Sequence, residues 1–299
     1  MTVFSLKIIA MLSMIIDHIG YVLFLSCPGT GADITLLRTV GRIAFPIYAF
    51  LIVNGLEYST NRKKYLLRLI SFACLSQIPF SMAFTQQNYL FPLHSTAGMF
   101  SIQLRHPELL IVALIIGLIF YFVLFQRKLC ASLFVLCAAL ILPLIRLQVL
   151  GFCLLSEHLN VFYTLAIGLG VIALTDELFS RRTYPAVQQA FLALAALLAV
   201  VCILPHSDYA YKGLLLIAVI YLLRRWRWAQ VLGMFIWVLD MYSYSYPFLI
   251  GAGLGCLLLL FYRGKKGRDI RLPFYAVYPL HLLILFFVGL SLSLKAINI

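Results

Sequence analysis

The sequence predicts an all-α protein, a polytopic bundle of about eleven transmembrane helices. Two observations predict this class. Of the 299 residues, 64% are hydrophobic and only 11% are charged, which is too apolar for a soluble globular protein. Apolar segments long enough to cross a bilayer also recur along the whole chain, with short connections between them. No stretch is long enough for a separate soluble domain, so we expect residues 1–299 to form one integral membrane domain.

The apolar segments define the expected spans. A helix of ~20 residues rises about 30 Å, which is the thickness of the bilayer core. Boundaries drawn from sequence are accurate to about four residues. The predicted spans are residues 6–26, 36–56, 65–84, 108–126, 129–146, 160–177, 188–204, 213–223, 228–243, 247–262 and 272–294.

The distribution of basic residues predicts the orientation of these spans. If the N-terminus is cytoplasmic, 17 of the 23 Lys and Arg residues fall in inner loops, and no outer loop is strongly basic. The inner set is Lys7, Arg62, Lys63, Lys64, Arg68, Arg127, Lys128, Arg181, Arg182, Arg224, Arg225, Arg227, Arg263, Lys265, Lys266, Arg268 and Arg271. We therefore predict a cytoplasmic N-terminus and, from the odd number of spans, an extracytoplasmic C-terminus.

The net charge of +13 is in the first place a topology signal. Its basic residues are divided among short loops and have no soluble fold to display them, which argues against binding of nucleic acid. Anionic lipid headgroups would be attracted to this basic inner rim. The same rim could hold a phosphorylated cytosolic cofactor.

Four ionisable residues interrupt the predicted spans. Asp17 and His18 lie within LKIIAMLSMIIDHIGYVLFLS, Arg42 lies within TVGRIAFPIYAFLIVNG, and His281 lies within FYAVYPLHLLILFFVGL. Ionisable side chains at membrane depth are costly unless they pair with one another or meet water. These four residues are therefore candidates for a functional site.

The rise of a helix predicts similar depths for the polar residues of five spans. At 1.5 Å per residue, all of them come to about 14 to 20 Å above the inner face. Such a cluster is what a water-accessible central cavity requires. The residues are Asp17, His18, Arg42, His281, Gln77 and Asp240.

The short connection between the first two spans makes them antiparallel neighbours, so an ion pair between Asp17 and Arg42 is sterically easy. A buried pair of this kind can also serve only to fix helix register. His18, next to a carboxylate, resembles an oriented general base. His281 can alternatively be explained by a hydrogen bond to a backbone carbonyl freed around Pro279.

Other polar and aromatic residues are more simply explained by structure. Asp240 is expected near the outer end of its span as a solvated cap. The tyrosines at 242, 244 and 246 are expected to form an interfacial aromatic belt rather than a substrate platform. The outer connection 85–107 is longer than two helices need, which predicts either a lid or acceptor-binding loop, or a plain exposed loop.

The sequence lacks the motifs of several enzyme classes. Its six histidines and ten carboxylates form no H-x-x-x-H or H-E-x-x-H array, so we expect no metal site. Phosphate loops, dinucleotide fingerprints and the G-x-S-x-G elbow are also missing from the sequence. Gly251, Gly253 and Gly255 lie in an apolar span and indicate close helix packing.

Several segments, taken together, resemble the TraX family. They are residues 7–21 (KIIAMLSMIIDHIGY), 37–55 (LRTVGRIAFPIYAFLIVNG), 64–70 (KYLLRLI), 160–165 (NVFYTL), 207–213 (SDYAYKG) and 274–285 (FYAVYPLHLLIL). The resemblance extends over most of the chain, and the combination of motifs is specific although no single one is. One departure is Ala210, where a glycine is expected after Tyr209, and it bears on turn geometry rather than on chemistry.

The resemblance implies an acetyltransferase of the transmembrane acyltransferase group in the bacterial inner membrane. The best-known TraX member acetylates the N-terminus of a conjugative pilin with acetyl-CoA, whereas many chromosomal members have no identified acceptor. By this resemblance His18 is the catalytic base, and we expect Asp17 to orient it while Arg42 or His281 stabilises the oxyanion. Acetyl-CoA would enter from the basic inner face. The expected cofactor-binding residues are Arg62, Lys63, Lys64, Arg224, Arg225, Arg227, Lys265 and Lys266.

Several alternatives stay open at this point. The acceptor, arriving from the outer side, is either an amine such as a pilin N-terminus or a hydroxyl or amine of a glycan. Transfer is either direct or through an acetyl-histidine intermediate. A proton-coupled transporter or exporter of an envelope component would also place Asp, His and Arg at membrane depth, although the eleven spans show no paired halves with matching broken helices. A catalytically silent partner in envelope assembly is the third possibility.

Overall fold

A computed structural model describes residues 1–27, 34–90, 100–104, 145–150, 152–156, 158–180, 203–268 and 272–297, together with scattered positions between 190 and 201. The predicted spans 108–126 and 129–146 lie outside these residues except for the last two positions, and span 188–204 is described only in part.

The described residues are mostly helical, and their longer helices match predicted spans to within three residues at most ends. The helices are α1 Val3–Ser26, α2 Thr35–Gly41, α3 Ala44–Glu57, α4 Arg62–Phe84, α5 Gln87–Leu90, α6 Val161–Ser180, α7 Ala210–Leu222, α8 Arg227–Tyr242, α9 Tyr246–Leu258 and α10 Leu272–Ile297. Short 3-10 turns at Leu204–His206 and Leu259–Phe261 precede α7 and follow α9.

Four stretches of the described chain are long and apolar enough to cross a membrane. They are Val3–Ser26, Thr35–Glu57, Arg62–Phe84 and Phe274–Lys295. Three shorter apolar helices, Val161–Asp176, Ala210–Leu222 and Tyr246–Phe261, accompany them. These features are those of a membrane protein. The number of about eleven spans and the cytoplasmic N-terminus stay predictions.

The second predicted span, 36–56, is two helices rather than one. Helix α2 ends at Gly41, residues Arg42 and Ile43 form a turn, and α3 begins at Ala44. Pro46 explains the break, because it has no N–H to offer the carbonyl of Arg42 and its ring collides with that carbonyl in a regular helix. The break therefore falls at the charged residue of this span.

The expectation of an all-α protein is wrong in one element, a three-stranded antiparallel sheet. Its strands are β1 Phe100–Leu104, β2 Ile145–Val149 and β3 Phe152–Leu155, in the order β1-β2-β3. The segments FSIQL and IRLQV alternate apolar and polar residues, which is the period-two pattern of a strand. Strand β1 also gives structure to part of the connection 85–107, which was expected to be either a lid or acceptor-binding loop or a plain exposed loop.

Helix α1 lies at the centre of the described bundle, where it packs against α2, α3 and α10, while α4 packs against α6 and α10. Helix α9 packs against α2 and α3 through small residues. A Cβ added to Gly251 would lie 2.0 Å from the Thr39 carbonyl oxygen, and one added to Gly255 would lie 2.7 Å from the Ile43 carbonyl oxygen. The expectation of close helix packing at these glycines is thus confirmed.

Candidate active site

Helix α1 presents Asp17 and His18 to different partners. Successive residues of a helix point about 100° apart, so neighbours in sequence face different sides. The Asp17 carboxylate meets α2, whereas the His18 ring meets α4 and α10. Two chemically distinct clusters, one ionic and one of imidazoles, therefore start from adjacent Cα atoms of one helix.

The Asp17 carboxylate is shared by two arginines. Arg38 Nη1 donates to Asp17 Oδ2 at 3.0 Å, and Arg42 Nη2 donates to Asp17 Oδ1 at 3.4 Å. All three side chains are mostly buried, with 15% of Asp17, 21% of Arg38 and 12% of Arg42 exposed. The ion pair expected between Asp17 and Arg42 is present, but Arg38 is the closer partner. Arg38 precedes Arg42 by four residues, a spacing that places both side chains on one helical face.

Close backbone approach makes this ionic cluster possible. A Cβ on Gly41 would lie 2.1 Å from the Cβ of Asp17, so only glycine allows α2 to come this near to α1. A Cβ on Gly20 would likewise lie 2.9 Å from the Cβ of Leu37. Small residues at such positions let transmembrane helices approach closely and bring their polar groups together.

Aromatic rings flank both arginines. The Arg38 guanidinium carbon lies 4.8 Å from the centroid of Tyr21. The Arg42 guanidinium carbon lies 5.0 Å from the centroid of Phe248 and 6.0 Å from that of Tyr242. Rings at this distance attract a cation and shield it from lipid. The charges are thus held by the carboxylate on one side and by aromatic faces on the other.

The His18 ring is held by His281. His18 Nδ1 lies 2.7 Å from His281 Nε2, and His281 Nδ1 lies 2.8 Å from the carbonyl oxygen of Val277. We expected Asp17 to orient His18, and that expectation is wrong, because Asp17 faces the arginines instead. His281 does bond a backbone carbonyl, as its structural explanation required, and it contacts His18 as well.

The direction of these hydrogen bonds follows from the Val277 carbonyl, which can only accept. His281 therefore carries its proton on Nδ1, and the Nε2 of the neutral ring is an acceptor. His18 Nδ1 must then donate to it, which leaves the lone pair of His18 on Nε2. The pair presents one basic nitrogen, His18 Nε2.

Aromatic rings also enclose the two histidines. Phe84 meets the His18 ring edge-on at a centroid distance of 4.9 Å, and Tyr278 meets the same ring at 6.0 Å. Tyr278 contacts the His281 ring as well, at 5.5 Å. His281 itself is buried, with only 8% exposed. An apolar enclosure of this kind keeps a histidine neutral and fixes the plane of its ring.

A strained turn packs close to the ionic cluster. Tyr209 and Ala210 have φ values of 63° and 40°, in the left-handed region that non-glycine residues rarely adopt. The Tyr209 ring stacks on Phe45 with centroids 3.6 Å apart. The residue that departs from the expected glycine, Ala210, is therefore one that needs a positive φ. Strain of this kind is often found at functional sites.

The family model described as TraX protein matches residues 4–147 and 133–289, which together cover nearly the whole chain. The chain belongs to the TraX family. A stretch of 74 residues is 40% identical to the probable fimbrial assembly protein FimC, serogroup H1, of Dichelobacter nodosus. That match covers 25% of this chain and 29% of the relative, and no solved structure matches the chain.

Two polar residues expected in the same cluster lie elsewhere in this TraX protein. Gln77 is fully buried and bonds to Asn160 and to the carbonyl of His158, so it fixes the segment before α6. Asp240 is 63% exposed and pairs with Lys212 at 3.0 Å. Both residues were predicted at the same membrane depth as the site. In the structure they lie on helical faces that are turned away from Asp17 and His18.

The tyrosines near the end of α8 do not act as one group. Tyr244 and Tyr246 are 74% and 80% exposed, which fits an interfacial belt. Tyr242 is only 2% exposed and lies beside the guanidinium of Arg42. The sequence analysis assigned Tyr242 to the belt. No local sequence pattern distinguishes it from Tyr244 and Tyr246, except that it precedes the corner between α8 and α9.

The eight residues expected to bind the cofactor lie in three segments whose contacts join them to the same end of the bundle. Arg62 pairs with Asp176 at the end of α6, and Arg224 pairs with Glu57 at the end of α3 through a 3.2 Å contact. Arg227 donates to the Tyr262 carbonyl. The other members, Lys63, Lys64, Arg225, Lys265 and Lys266, are exposed. The expected rim is thus partly neutralised by carboxylates of the protein itself.

The segment carrying Lys265 and Lys266 also anchors the start of α1. The backbone N–H groups of Val3 and Phe4 donate to the carbonyls of Lys265 and Lys266, at 2.9 and 3.2 Å. The side chain of Thr2 caps the same helix by accepting from the N–H of Ser5. Within the described ranges, no three His, Cys, Asp or Glu residues are grouped as metal ligands.

Proposed function

We propose that this TraX family member is an integral membrane acetyltransferase that moves an acetyl group from cytosolic acetyl-CoA to an acceptor at the membrane or on its outer side. The acceptor class that the comparisons favour is the amine of a fimbrial or pilin subunit, since the FimC relative bears the name of a probable fimbrial assembly protein. We place the protein in the inner membrane with its N-terminus in the cytoplasm, on the basis of its basic loops.

The observation that carries this proposal is the histidine pair. His281 accepts from His18 Nδ1 and so leaves Nε2 of His18 as a basic atom in an enclosed, largely apolar site. A neutral imidazole of this kind is the usual general base of acyl transfer. Arg42 pairs with Asp17, the neighbour of His18 in sequence, and we propose it as the cation that stabilises negative charge developing on oxygen.

The proposed reaction uses these groups in a fixed order. The acceptor nitrogen attacks the carbonyl carbon of the acetyl thioester, and the carbonyl electron pair moves to oxygen near Arg42. His18 Nε2 takes the proton that the nitrogen loses. When the carbon–sulfur bond breaks, its electron pair goes to sulfur, and the imidazolium of His18 returns the proton to the thiolate of CoA. His281 accepts the Nδ1–H of His18 throughout and keeps the ring in place.

Acetyl-CoA would bind from the basic end of the bundle. Arg62, Lys63, Lys64, Arg224, Arg225, Arg227, Lys265 and Lys266 are the proposed phosphate contacts. Arg62 and Arg224 are paired with Asp176 and Glu57, so a phosphate would have to compete with these carboxylates for the two arginines.

Release of free CoA thiol tests the proposed function. The full-length protein, purified in detergent or returned to liposomes, is given acetyl-CoA with and without a peptide that carries a pilin N-terminus. We expect thiol release that depends on the peptide, a mass gain of one acetyl group on the peptide, and neither with His18→Ala. Mass spectrometry of envelope proteins and glycans with and without the gene searches for other acceptors.

Two results would count against an acetyltransferase. If neither the peptide nor any envelope component is acetylated, and acetyl-CoA does not shift the melting temperature of the protein, the donor is wrong. Uptake of an envelope component into liposomes that depends on a proton gradient would instead establish the transporter alternative.

A further inference from the structure

Two buried hydrogen-bond donors near the ionic cluster lack a partner in good geometry. Arg42 Nε and Tyr242 Oη are both buried, and neither makes a hydrogen bond of normal distance and angle to a described residue. The Tyr242 hydroxyl lies beside the side chains of Arg42 and Tyr209, with which its contacts are weak. Buried polar groups are satisfied in the great majority of native positions, and leaving one unpaired is costly. Two such groups at one place therefore need an explanation.

The two groups belong to one site. The Arg42 guanidinium carbon lies 6.0 Å from the centroid of the Tyr242 ring. The Tyr242 side chain is almost completely buried, at 2% exposed, and Trp237 and Phe248 pack against its ring. Tyr242 is thus held in place by packing, and its hydroxyl can donate a hydrogen bond to a ligand.

The local charge is also unbalanced. Two arginines, Arg38 and Arg42, share the single carboxylate of Asp17. The Asp17 carboxylate accepts one hydrogen bond from each arginine, and the one from Arg42 is the longer, at 3.4 Å. An arginine can only donate hydrogen bonds, and a tyrosine hydroxyl can donate as well. A surplus positive charge with two unused donors is complementary to a negatively charged oxygen.

The backbone around this site is built to hold it. The break at Arg42 is fixed by Pro46, and α9 touches it through Gly251, whose added Cβ would meet the Thr39 carbonyl at 2.0 Å. The strained turn at Tyr209 brings the Tyr209 side chain against that of Tyr242. Donors on rigid elements need no reorganisation when charge develops, which is the condition for strong stabilisation of an oxyanion.

We infer that Arg42 Nε and Tyr242 Oη form an oxyanion site that receives the carbonyl oxygen of the transferred acetyl group. This inference rests on the proposed acetyl transfer and adds Tyr242 to it as a catalytic residue. As the acceptor nitrogen bonds to the carbonyl carbon, the oxygen gains the electron pair and both donors bond to it. When the carbon–sulfur bond breaks, the pair returns to the carbonyl. The alternative ligand with the same chemistry is a carboxylate of the acceptor, bound before the reaction.

The test is Tyr242→Phe, which removes the hydroxyl and keeps the ring. Because the buried hydroxyl makes no hydrogen bond of normal geometry in the free protein, its loss should raise the melting temperature of the full-length protein by about 2 to 4 °C. The same variant should lose about 10²-fold in kcat with little change in the KM for acetyl-CoA or for acceptor, as expected for a donor that acts only in the transition state.

Two other tyrosines give matched controls. Tyr89 is also buried, but its hydroxyl donates to the Ala83 carbonyl at 2.7 Å, so Tyr89→Phe should lower the melting temperature and leave kcat unchanged. Tyr244 is exposed, and Tyr244→Phe should change neither quantity.

The outcomes separate the alternatives. A Tyr242→Phe protein with the kcat of the wild type overturns the inference, and so does a fall in its melting temperature, since the hydroxyl would then have a structural partner. A raised KM for acceptor at unchanged kcat would identify a carboxylate-binding site instead and also overturns it. If the wild-type protein transfers no acetyl group, the proposed function fails and the inference fails with it.

Discussion

His18 Nδ1 lies 2.7 Å from His281 Nε2, so one imidazole orients the other across 263 positions of the chain. A carboxylate commonly has this role in acyl-transfer enzymes. Here the neighbouring carboxylate, Asp17, serves the arginines, and the orienting group is a second histidine that is fixed by the Val277 carbonyl. A neutral partner orients the ring without stabilising its protonated form as strongly as a carboxylate does.

The histidine pair predicts non-additive kinetics. His18→Ala should lower acetyl transfer by about 10² to 10⁴-fold or more, because it removes the base. His281→Ala should cost less, because the His18 ring is then present but free to turn. The double variant should be no slower than His18→Ala alone, as for residues that act as a unit. Rates of thiol release measure this, and unaltered melting temperatures confirm folding. Full activity in a folded His18→Ala protein would exclude the mechanism.

The shared carboxylate predicts a graded pattern of stability. Asp17→Asn leaves two arginines without a counter-ion, and we expect a loss of about 3 kcal/mol in the free energy of unfolding. Adding Arg42→Gln should recover only part of this, because Arg38 remains unpaired. Adding Arg38→Gln as well should recover most of it. Denaturant unfolding in detergent measures each step, and full recovery in the double variant would show that Arg38 contributes nothing.

Gly41 predicts a steric effect at the site. Gly41→Ala places a Cβ 2.1 Å from the Cβ of Asp17, so α2 must move away from α1. We expect a loss of about 1 to 3 kcal/mol in stability together with reduced acetyl transfer. Gly170 is the matched control, since an added Cβ there meets nothing nearer than Leu66 at 4.0 Å. Gly170→Ala should keep its activity and gain about 1 kcal/mol from helix propensity.

The turn at Ala210 predicts a stabilising substitution. Its φ of 40° is unfavourable for alanine but not for glycine, so Ala210→Gly should gain about 1 kcal/mol in stability. Ala218, within α7, is the control, because glycine at a helical position should cost about 1 kcal/mol. Thermal unfolding of the two variants measures whether Ala210→Gly is stabilised and Ala218→Gly is destabilised. A destabilised Ala210→Gly protein would show that the turn is not strained.

His158 predicts a pH dependence of stability. Its Nε2 lies 2.7 Å from Asp208 Oδ1, and this hydrogen bond raises the pKa of His158 above its usual value although burial opposes the shift. A raised folded-state pKa gives stability that is fully present below the unfolded pKa of about 6.5 and lost as the pH rises through the folded value. The melting temperatures of wild type and His158→Gln should therefore differ more at about pH 5.5 than at about pH 8.5. Asp208→Asn should abolish that dependence.

Sequence patterns predicted those features of the fold that depend on composition and spacing. The length of the apolar segments located the described helices. The glycines of α9 predicted that this helix packs closely against its neighbours. The ion pair of Asp17 with Arg42 followed from a short hairpin and matching depths. The sheet was missed because FSIQL lies within the connection 85–107, which was interpreted as a loop, and because IRLQV begins within the apolar segment that was interpreted as span 129–146.

What the sequence could not supply was the rotation of each helix about its axis. Depth alone grouped Gln77 and Asp240 with the site, whereas the structure turns them toward Asn160 and Lys212. Because this rotation was unknown, Asp17 instead of His281 was predicted to orient His18. Tyr242 was indistinguishable from Tyr244 because only the corner between α8 and α9, a tertiary feature, buries one and exposes the other.

The separation of the two histidines also sets the order in which the pair is assembled. Ribosomes make α1 long before α10, so a nascent chain already inserted in the membrane carries His18 with no orienting partner. Only when synthesis has passed His281 and α10 has docked against α1 can the His18 ring be fixed. We therefore expect the geometry of the pair to report on completed assembly of the bundle, from its first helix to its last.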